Sequence, residues 1–379
     1  MQSLSMKNII IGLSISLTGI YSIQGKESFE GIELWVSEAN SQGGIFIKEY
    51  NEKLPLELVH YDDESSVERC IANTEKLILD NKVNILLGPY SSSLALAACE
   101  VAKENDKTLW NHGGSTDEIE ERGFNNVINA ITPASNYSCG IIEAVKQVDP
   151  KLEKIATFSA ENSGFSTRVA NGAKEYAESL GLNVREYKFI SGVKDLSSYL
   201  DDLVSYEPDL ILGMGRAEDD LVLAEQLFSN RIYSKAAGFI VASIKLFKER
   251  FGHNVNAILS ASQWERGLQI IPDIGPTPEE FFAKFQSDYR KEPDYVAAQG
   301  YNIGLVIEKC IQKAGTLDNL TLRECAKDAE FKTFYGTFIT DSQGRQIGHE
   351  MVVVQWQNGK KVIVYPETAT QARMIYPRK

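Results

Sequence analysis

Two short segments gather the residue types best suited to holding a small anion. In Leu86-Leu87-Gly88-Pro89-Tyr90-Ser91-Ser92-Ser93 an apolar, strand-like run meets a helical pattern through a turn rich in hydroxyls. A helix start offers unpaired backbone N–H groups and a partial positive charge, and a serine there adds one more donor for a carboxylate. Serines also cap helices well, so Ser91 to Ser93 fit a purely structural role too. The second segment, Trp110-Asn111-His112-Gly113-Gly114-Ser115-Thr116-Asp117, also falls where a predicted strand ends. In open α/β sheets that edge is where ligands bind. Its glycines would let the backbone come close to a ligand, exposing the Gly113 carbonyl and the N–H and hydroxyl of Ser115. A glycine-rich turn leading into a capped helix, with Ser115 and Thr116 ahead of Glu118, accounts for the same residues. His112 reads as a structural or rim residue rather than a base.

Patterns for covalent or metal chemistry are missing from the sequence. It holds no G-x-S-x-G elbow, no G-x-x-x-x-G-K-[ST] loop, no G-x-G-x-x-G after the first strand and no H-E-x-x-H helix. The acidic pairs Asp62-Asp63 and Asp201-Asp202 consist of chain neighbours, whose side chains diverge, and read as solvated surface. Five scattered cysteines without a C-x-x-C pair, and four histidines, argue against a zinc cage, so neither a metal nor a nucleotide cofactor is expected. One or two disulfides would be compatible with an oxidising compartment. The net charge of −13 disfavours a nucleic-acid partner.

The elements that must position these loops follow from periodicity. At 379 residues the chain exceeds one ordinary core, and two lobes are expected. Strand-like runs alternate with helical ones, the pattern of parallel sheets covered by helices. Asn8–Leu17, Leu56–Tyr61, Val83–Leu87 and Thr108–Trp110 read as strands, with helices at Ser28–Gln42, Ser66–Asp80 and Ser92–Asn105. After Thr132-Pro133 a second series opens, with strands at Ile155–Phe158, Asn183–Phe189, Leu210–Met214 and Ala237–Val241 between helices. Ile258–Trp264, Pro278–Lys291, Ala297–Ala314 and the tail form no third unit, so the chain is expected to cross between the lobes more than once. Near the end, Asn358-Gly359 between two apolar runs predicts a hairpin. At the start, Lys7 and the apolar run after it could pass for a signal peptide. The alternation from Leu13 to Leu17 and the absence of a small-x-small cleavage site favour a buried strand instead.

The chain resembles the type I periplasmic binding proteins, in the branched-chain amino acid and amide branch of ABC-transporter receptors. The resemblance covers nearly the whole length. It rests on Gly12-x-x-x-x-Leu17-Thr18-Gly19, Gly31-Ile32-Glu33-Leu34, Asn40-Ser41-Gln42-Gly43-Gly44-Ile45, Tyr61-Asp62-Asp63, the two loops above, Gly300-Tyr301 and Val354-Gln355-Trp356-Gln357-Asn358-Gly359-Lys360. It implies two Rossmann-like α/β lobes joined by three hinge crossovers, with the ligand in the cleft. The lobes are expected at 7–132 plus 262–338 and at 133–261 plus 339–379. Carried over by position, Ser92 would hold a ligand carboxylate, the Gly113 carbonyl would meet an amine, and the Ser115 hydroxyl would touch both. Tyr90 and Gly114 would line the same wall and Gln24 would lie on the loop after the first strand. Phe165, with Tyr137, would contribute from the second lobe, and Arg216 could face a further acidic group.

One departure matters. Amino-acid-binding relatives place an acidic residue on the second lobe against the ligand ammonium, and here Phe239, Ile240 or Val241 takes that place. A buried ammonium without a charge partner costs several kcal/mol. Either Glu161 or Glu218 supplies the charge from another loop, or the ligand is not an ordinary α-amino acid. The expectation is a non-enzymatic receptor for a small carboxylate, amino acid or amide. It would close by hinge motion and serve an ABC permease, in the periplasm or at the cell surface. A cytoplasmic ligand sensor of the same fold, regulating a partner protein, is the alternative.

Overall fold

The structure, a computed structural model, describes residues 8–378. Lys7, where the first lobe was expected to begin, lies outside the described residues. The described chain divides into two compact units, residues 8–132 with 266–350 and residues 133–265 with 351–378, so it crosses from one to the other three times.

The first stretch of the first unit runs β1 (Ile9–Ile15), α1 (Ser22–Ser41), β2 (Ile45–Ile47), β3 (Glu52–Leu54), β4 (Leu56–Asp62), α2 (Val67–Leu79), β5 (Ile85–Leu87), α3 (Ser92–Glu104), β6 (Leu109–Asn111), α4 (Glu118–Glu121) and β7 (Val127–Asn129). The second unit follows with α5 (Cys139–Val148), β8 (Lys154–Ala160), α6 (Gly164–Ser179), β9 (Asn183–Phe189), α7 (Leu200–Tyr206), β10 (Leu210–Gly213), α8 (Ala217–Ser229), β11 (Ala236–Phe239), α9 (Lys245–Phe251) and β12 (Ile258–Ser262). The chain returns to the first unit for α10 (Pro278–Tyr289), α11 (Tyr295–Ala314), α12 (Asn319–Lys327), β13 (Glu330–Thr333) and β14 (Gly336–Ile339). It ends on the second unit with β15 (Val352–Gln357) and β16 (Lys360–Tyr365).

The first unit's main sheet is parallel throughout, in the order β4-β1-β5-β6-β7. Ile9, Ile11, Leu13 and Ile15 of β1 are fully buried, as are Gly12 and Ser14 between them, which is why this strand reads as a near-continuous apolar run. Each fully buried aliphatic side chain contributes roughly 1.5–3 kcal/mol. Helices α1 and α11 touch backbone to backbone. A Cβ on Gly31 would lie 2.0 Å from the Ala297 carbonyl oxygen, and one on Gly300 would lie 2.1 Å from that of Ser28. This seam sets the depth at which Ser28 and Gln299 stand behind the sheet, a point that matters at the site.

The second unit's sheet runs β16-β15-β12-β11-β10-β8-β9. β8 to β12 are mutually parallel, whereas β15 and β16 are antiparallel. The two antiparallel strands form the expected hairpin, with Asn358 and Gly359 both at positive φ, 50° and 76°, as a tight two-residue turn requires.

Two crossings lie beyond the expected 261/262 and 338/339. Residues 262–265 stay with the second unit because Ser262 pairs with Val352, the Gln263 amide donates to the Tyr137 hydroxyl at 2.8 Å, and Glu265 pairs with Lys361 at 2.7 Å. Residues 340–350 stay with the first because the Asn129 amide donates to the Gly344 carbonyl and Arg345 binds Asp117, at 2.9 and 3.0 Å. Asp62 and Asp63 also depart from their reading as solvated surface. Asp63 is fully buried and accepts from the hydroxyls of Ser14 and Ser16 and from the Ser65 amide. Asp62 accepts from the amides of Leu17 and Thr18 and from the Thr18 hydroxyl. The serines alternating along the end of β1 are the donors for this clamp.

All five cysteines are free thiols. Among the described residues no cluster of three or more His, Cys, Asp or Glu could hold a metal ion, and no helix is long and apolar enough to cross a membrane.

Candidate functional site

The first unit brings the two predicted loops side by side, because β5 and β6 are neighbouring parallel strands and both loops leave their C-terminal ends. After β5 the chain turns through Gly88 to Ser91 into α3. Ser91 has φ 90° and ψ 148°, a region almost reserved for glycine, at a cost of about 1–3 kcal/mol. Two bonds hold it there. Its amide donates to the Gly113 carbonyl at 3.2 Å, and its hydroxyl accepts from the Leu94 amide at 3.4 Å. Of the three serines that could cap, Ser91 is therefore the helix cap, and the exposed Ser93 hydroxyl only approaches that of Ser91 at 3.4 Å. Ser92, the first residue of α3, is half-buried, and its hydroxyl has no hydrogen-bond partner among the described residues.

After β6 the loop is bracketed by Asn111, which is fully buried. Its side-chain carbonyl accepts from the Gly114 amide at 3.0 Å, and its NH₂ donates to the Gly114 carbonyl at 2.6 Å and to Asn129 at 2.5 Å. Both glycines are required by contact. A Cβ on Gly113 would lie 2.7 Å from the Pro89 carbonyl, and one on Gly114 would lie 2.1 Å from the Ala95 Cβ. Thr116, not Ser115, turns its hydroxyl to the helix, accepting from the Glu118 amide at 3.4 Å. The Ser115 side chain, 7% exposed, has no hydrogen-bond partner among the described residues. Two unspent hydroxyls thus stand at the start of α3 and on the neighbouring loop.

The loop is propped from behind by residues that sequence reasoning missed. Ser28 of α1 meets His112 Nε2 at 2.6 Å, and Gln299 of α11 donates to the His112 carbonyl at 2.8 Å. His112 is fully buried, and burial depresses its pKa to about 4, so it is neutral at physiological pH and structural, as its sequence context suggested. Tyr90 is half-buried with its ring edge-on to Tyr21 at 6.4 Å. Gln24 lies in the first turn of α1, not on the loop before it, because the helix begins at Ser22, six residues ahead of the apolar pattern that revealed it.

In the second unit, Tyr137 follows the first crossing, and its ring stands edge-on to Phe165, near the start of α6, at 5.4 Å. Arg216 precedes α8, is exposed, and has no ion-pair partner among the described residues. At the end of β11 the Phe239 side chain is fully buried in the apolar core, and Ile240 and Val241 open a 3-10 turn. Neither candidate acid points to a buried charge site: Glu161 is exposed, and Glu218 is exposed 3.9 Å from Arg250. A fully buried acid does stand beneath these strand ends. Asp220 accepts from the amides of Gly215 and Val241 at 2.8 and 3.3 Å, and burial raises its pKa to about 7.

A family model described as periplasmic binding protein matches residues 8–361. The chain belongs to the periplasmic binding protein family. The fold is the one expected of its type I members, with two α/β units built on parallel strands, and the family is a solute-binding receptor fold. Among curated relatives, the Leu/Ile/Val-binding protein homolog 7 of Brucella abortus (strain 2308) is 28% identical, over 98% of this chain and 94% of its own length. Among solved structures, the branched-chain amino acid transporter substrate binding protein of Streptococcus pneumoniae, in complex with isoleucine, superposes with a TM-score of 0.80. It is 18% identical and covers 95% of this periplasmic binding protein and 100% of its own chain. The solute binding protein of an ABC transporter from R. palustris, in complex with benzoate, gives a TM-score of 0.77 at 19% identity, covering 97% and 99%. Both similarities speak for the fold.

Proposed function

We propose that this protein is the solute receptor of an ABC uptake transporter, working in the periplasm or at the cell surface. In this reading it binds a small carboxylate without transforming it, closes by hinge motion at its chain crossings and delivers the ligand to a permease. The observation that carries it is the pair of unspent hydroxyls, Ser92 and Ser115, on adjoining loops at the ends of β5 and β6. With the first-turn amides of α3 they form a donor set suited to one carboxylate. In this reading Tyr90, Gly114 and Gln24 belong with this donor set in the first unit, and Tyr137, Phe165 and Arg216 are the proposed ligand-binding residues of the second unit. The Gly113 carbonyl keeps one lone pair for an amine, since Ser91 takes the other.

On the second unit, the apolar residues 239–241 and the exposed positions of Glu161 and Glu218 favour a carboxylate that does not need its ammonium paired inside. Titration calorimetry with isoleucine, leucine, benzoate and 3,4-dihydroxybenzoate tests this. A carboxylate without an amine is expected to bind at least as tightly as the amino acids. Tight binding of leucine or isoleucine with no heat from either benzoate would overturn the preference, and silence toward every carboxylate offered, in a wider panel, would overturn the site.

A further inference from the structure

Cys310 near the end of α11 and Cys325 near the end of α12 come together in the first unit, away from the loops described above. The Cys325 thiol donates to the Cys310 carbonyl at 3.7 Å, which sets the two cysteines side by side where α12 packs on α11. Their accessibility differs. Cys310 is 1% exposed, whereas Cys325 is half-buried and lines an open groove with Leu320, Thr321, Glu324, Asp328 and Lys313. Cys70 and Cys99 are sealed in the core, and Cys139 donates to the Ser135 carbonyl at 3.4 Å.

We propose that Cys310 and Cys325 form a redox-active pair that closes to an intramolecular disulfide by exchange with a disulfide donor, with Cys325 attacking and Cys310 resolving. The Cys325 thiolate attacks one donor sulfur, giving a mixed disulfide and releasing the other donor sulfur as a thiolate. Cys310 then loses its proton and attacks the Cys325 sulfur, expelling the second donor sulfur. Two protein thiols are oxidised to one disulfide, one donor disulfide is reduced to two thiols, and the protons pass to the departing thiolates. The direction of attack follows from environment as well as access. The hydrogen bond from Cys310 and the nearby Lys313 lower the Cys325 pKa to about 7, against burial and the charge of Asp328. Cys310 is raised, first by that same bond and then by burial. A thiol with a pKa near ambient pH is the better nucleophile, and a buried one follows as the resolver. The bridge would staple α12 to α11, the helix whose Gln299 braces the His112 loop.

The test uses the full, reduced chain treated with glutathione disulfide at neutral pH, followed by intact mass and non-reducing peptide mapping. The parent is expected to lose two hydrogens, carry no adduct and yield one cross-linked peptide joining residues 310 and 325. Cys310→Ser should instead retain a glutathione on Cys325, and Cys325→Ser should react at Cys310 at least about tenfold more slowly. A stable glutathione adduct on Cys325 of the parent would overturn the proposal. So would full alkylation of both thiols under conditions that modify Cys310→Ser, or a cross-link through Cys139. Mapping of the parent alone decides the matter even where a variant folds poorly.

Discussion

The amide of Ser91 donates to the carbonyl of Gly113 across 3.2 Å, tying the loop after β5 to the loop after β6. Through this bond the positive φ of Ser91 and the two-glycine turn support one another, and the hydroxyls of Ser92 and Ser115 are left over.

Removing either left-over hydroxyl should weaken binding without unfolding the chain. A hydrogen bond to a charged group contributes roughly 1.5–3 kcal/mol, so Ser92→Ala and Ser115→Ala should each lose about ten- to a hundredfold in affinity. Calorimetry with the carboxylate that binds best checks this, with Ser93→Ala as the comparison that stays within about threefold. If both variants bind like the parent, the carboxylate is held elsewhere.

Asn111 should matter more for the shape of the loop than for contact with the ligand. Asn111→Leu leaves the Gly114 amide and carbonyl and the Asn129 side chain short of buried partners, at about 1–3 kcal/mol for each unsatisfied group. Urea unfolding should show a loss of several kcal/mol. A change under about 1 kcal/mol would mean that the bracket is dispensable.

Gly114→Ala should be destabilising by about 1–3 kcal/mol, since its new methyl would lie 2.1 Å from the Ala95 Cβ in a packed interior. Gly164→Ala serves as its control. That glycine has nothing within 4 Å of the added atom and sits in the first turn of α6, so it should be neutral or slightly stabilising. Equal midpoints for the two variants in thermal unfolding would contradict the close approach of the loops.

His112 predicts an acid sensitivity with a defined sign. Its folded pKa, about 4, lies below the ordinary 6.5, so the folded state excludes a proton that the unfolded chain takes up. Its contribution is complete above pH 6.5 and is lost as the pH falls through 4. Between pH 7 and 4.5 the parent should lose roughly 2–3 kcal/mol more than His112→Gln in urea unfolding. Raised carboxylates such as Asp220 act in the opposite direction, so the difference between parent and variant is the meaningful quantity. Parallel pH profiles would remove His112 from the account.

Period and turn chemistry made much of this fold legible. The strand Asn183–Phe189, the helix start at Ser92 and the Asn358-Gly359 hairpin stand where their patterns place them. Strands of three residues, such as β2, β3 and β7, are too short to display a period, and they went unread. Long-range side-chain pairing left no local signal either. Nothing near Asp63 says that Ser14 and Ser16, about fifty positions earlier, will meet it in the interior, and the same holds for Ser28 and Gln299 behind His112. Asn111 is the exception. An asparagine ending a strand just before two glycines carries the means to mimic a backbone turn, and that signal was present in the sequence.

The close seam between α1 and α11 bears on the order in which the protein can mature during synthesis. The first unit's main sheet is encoded entirely before residue 130, yet the helix that seats against α1 ends at Ala314. The second sheet waits longer still, since its last two strands span Val352–Tyr365. A nascent chain therefore carries apolar surface without its cover through most of translation, the state in which aggregation competes with folding. The first unit is complete only once residue 350 has been made and the second only after it, and truncation ahead of Val352 would leave the second sheet with an open edge along β12.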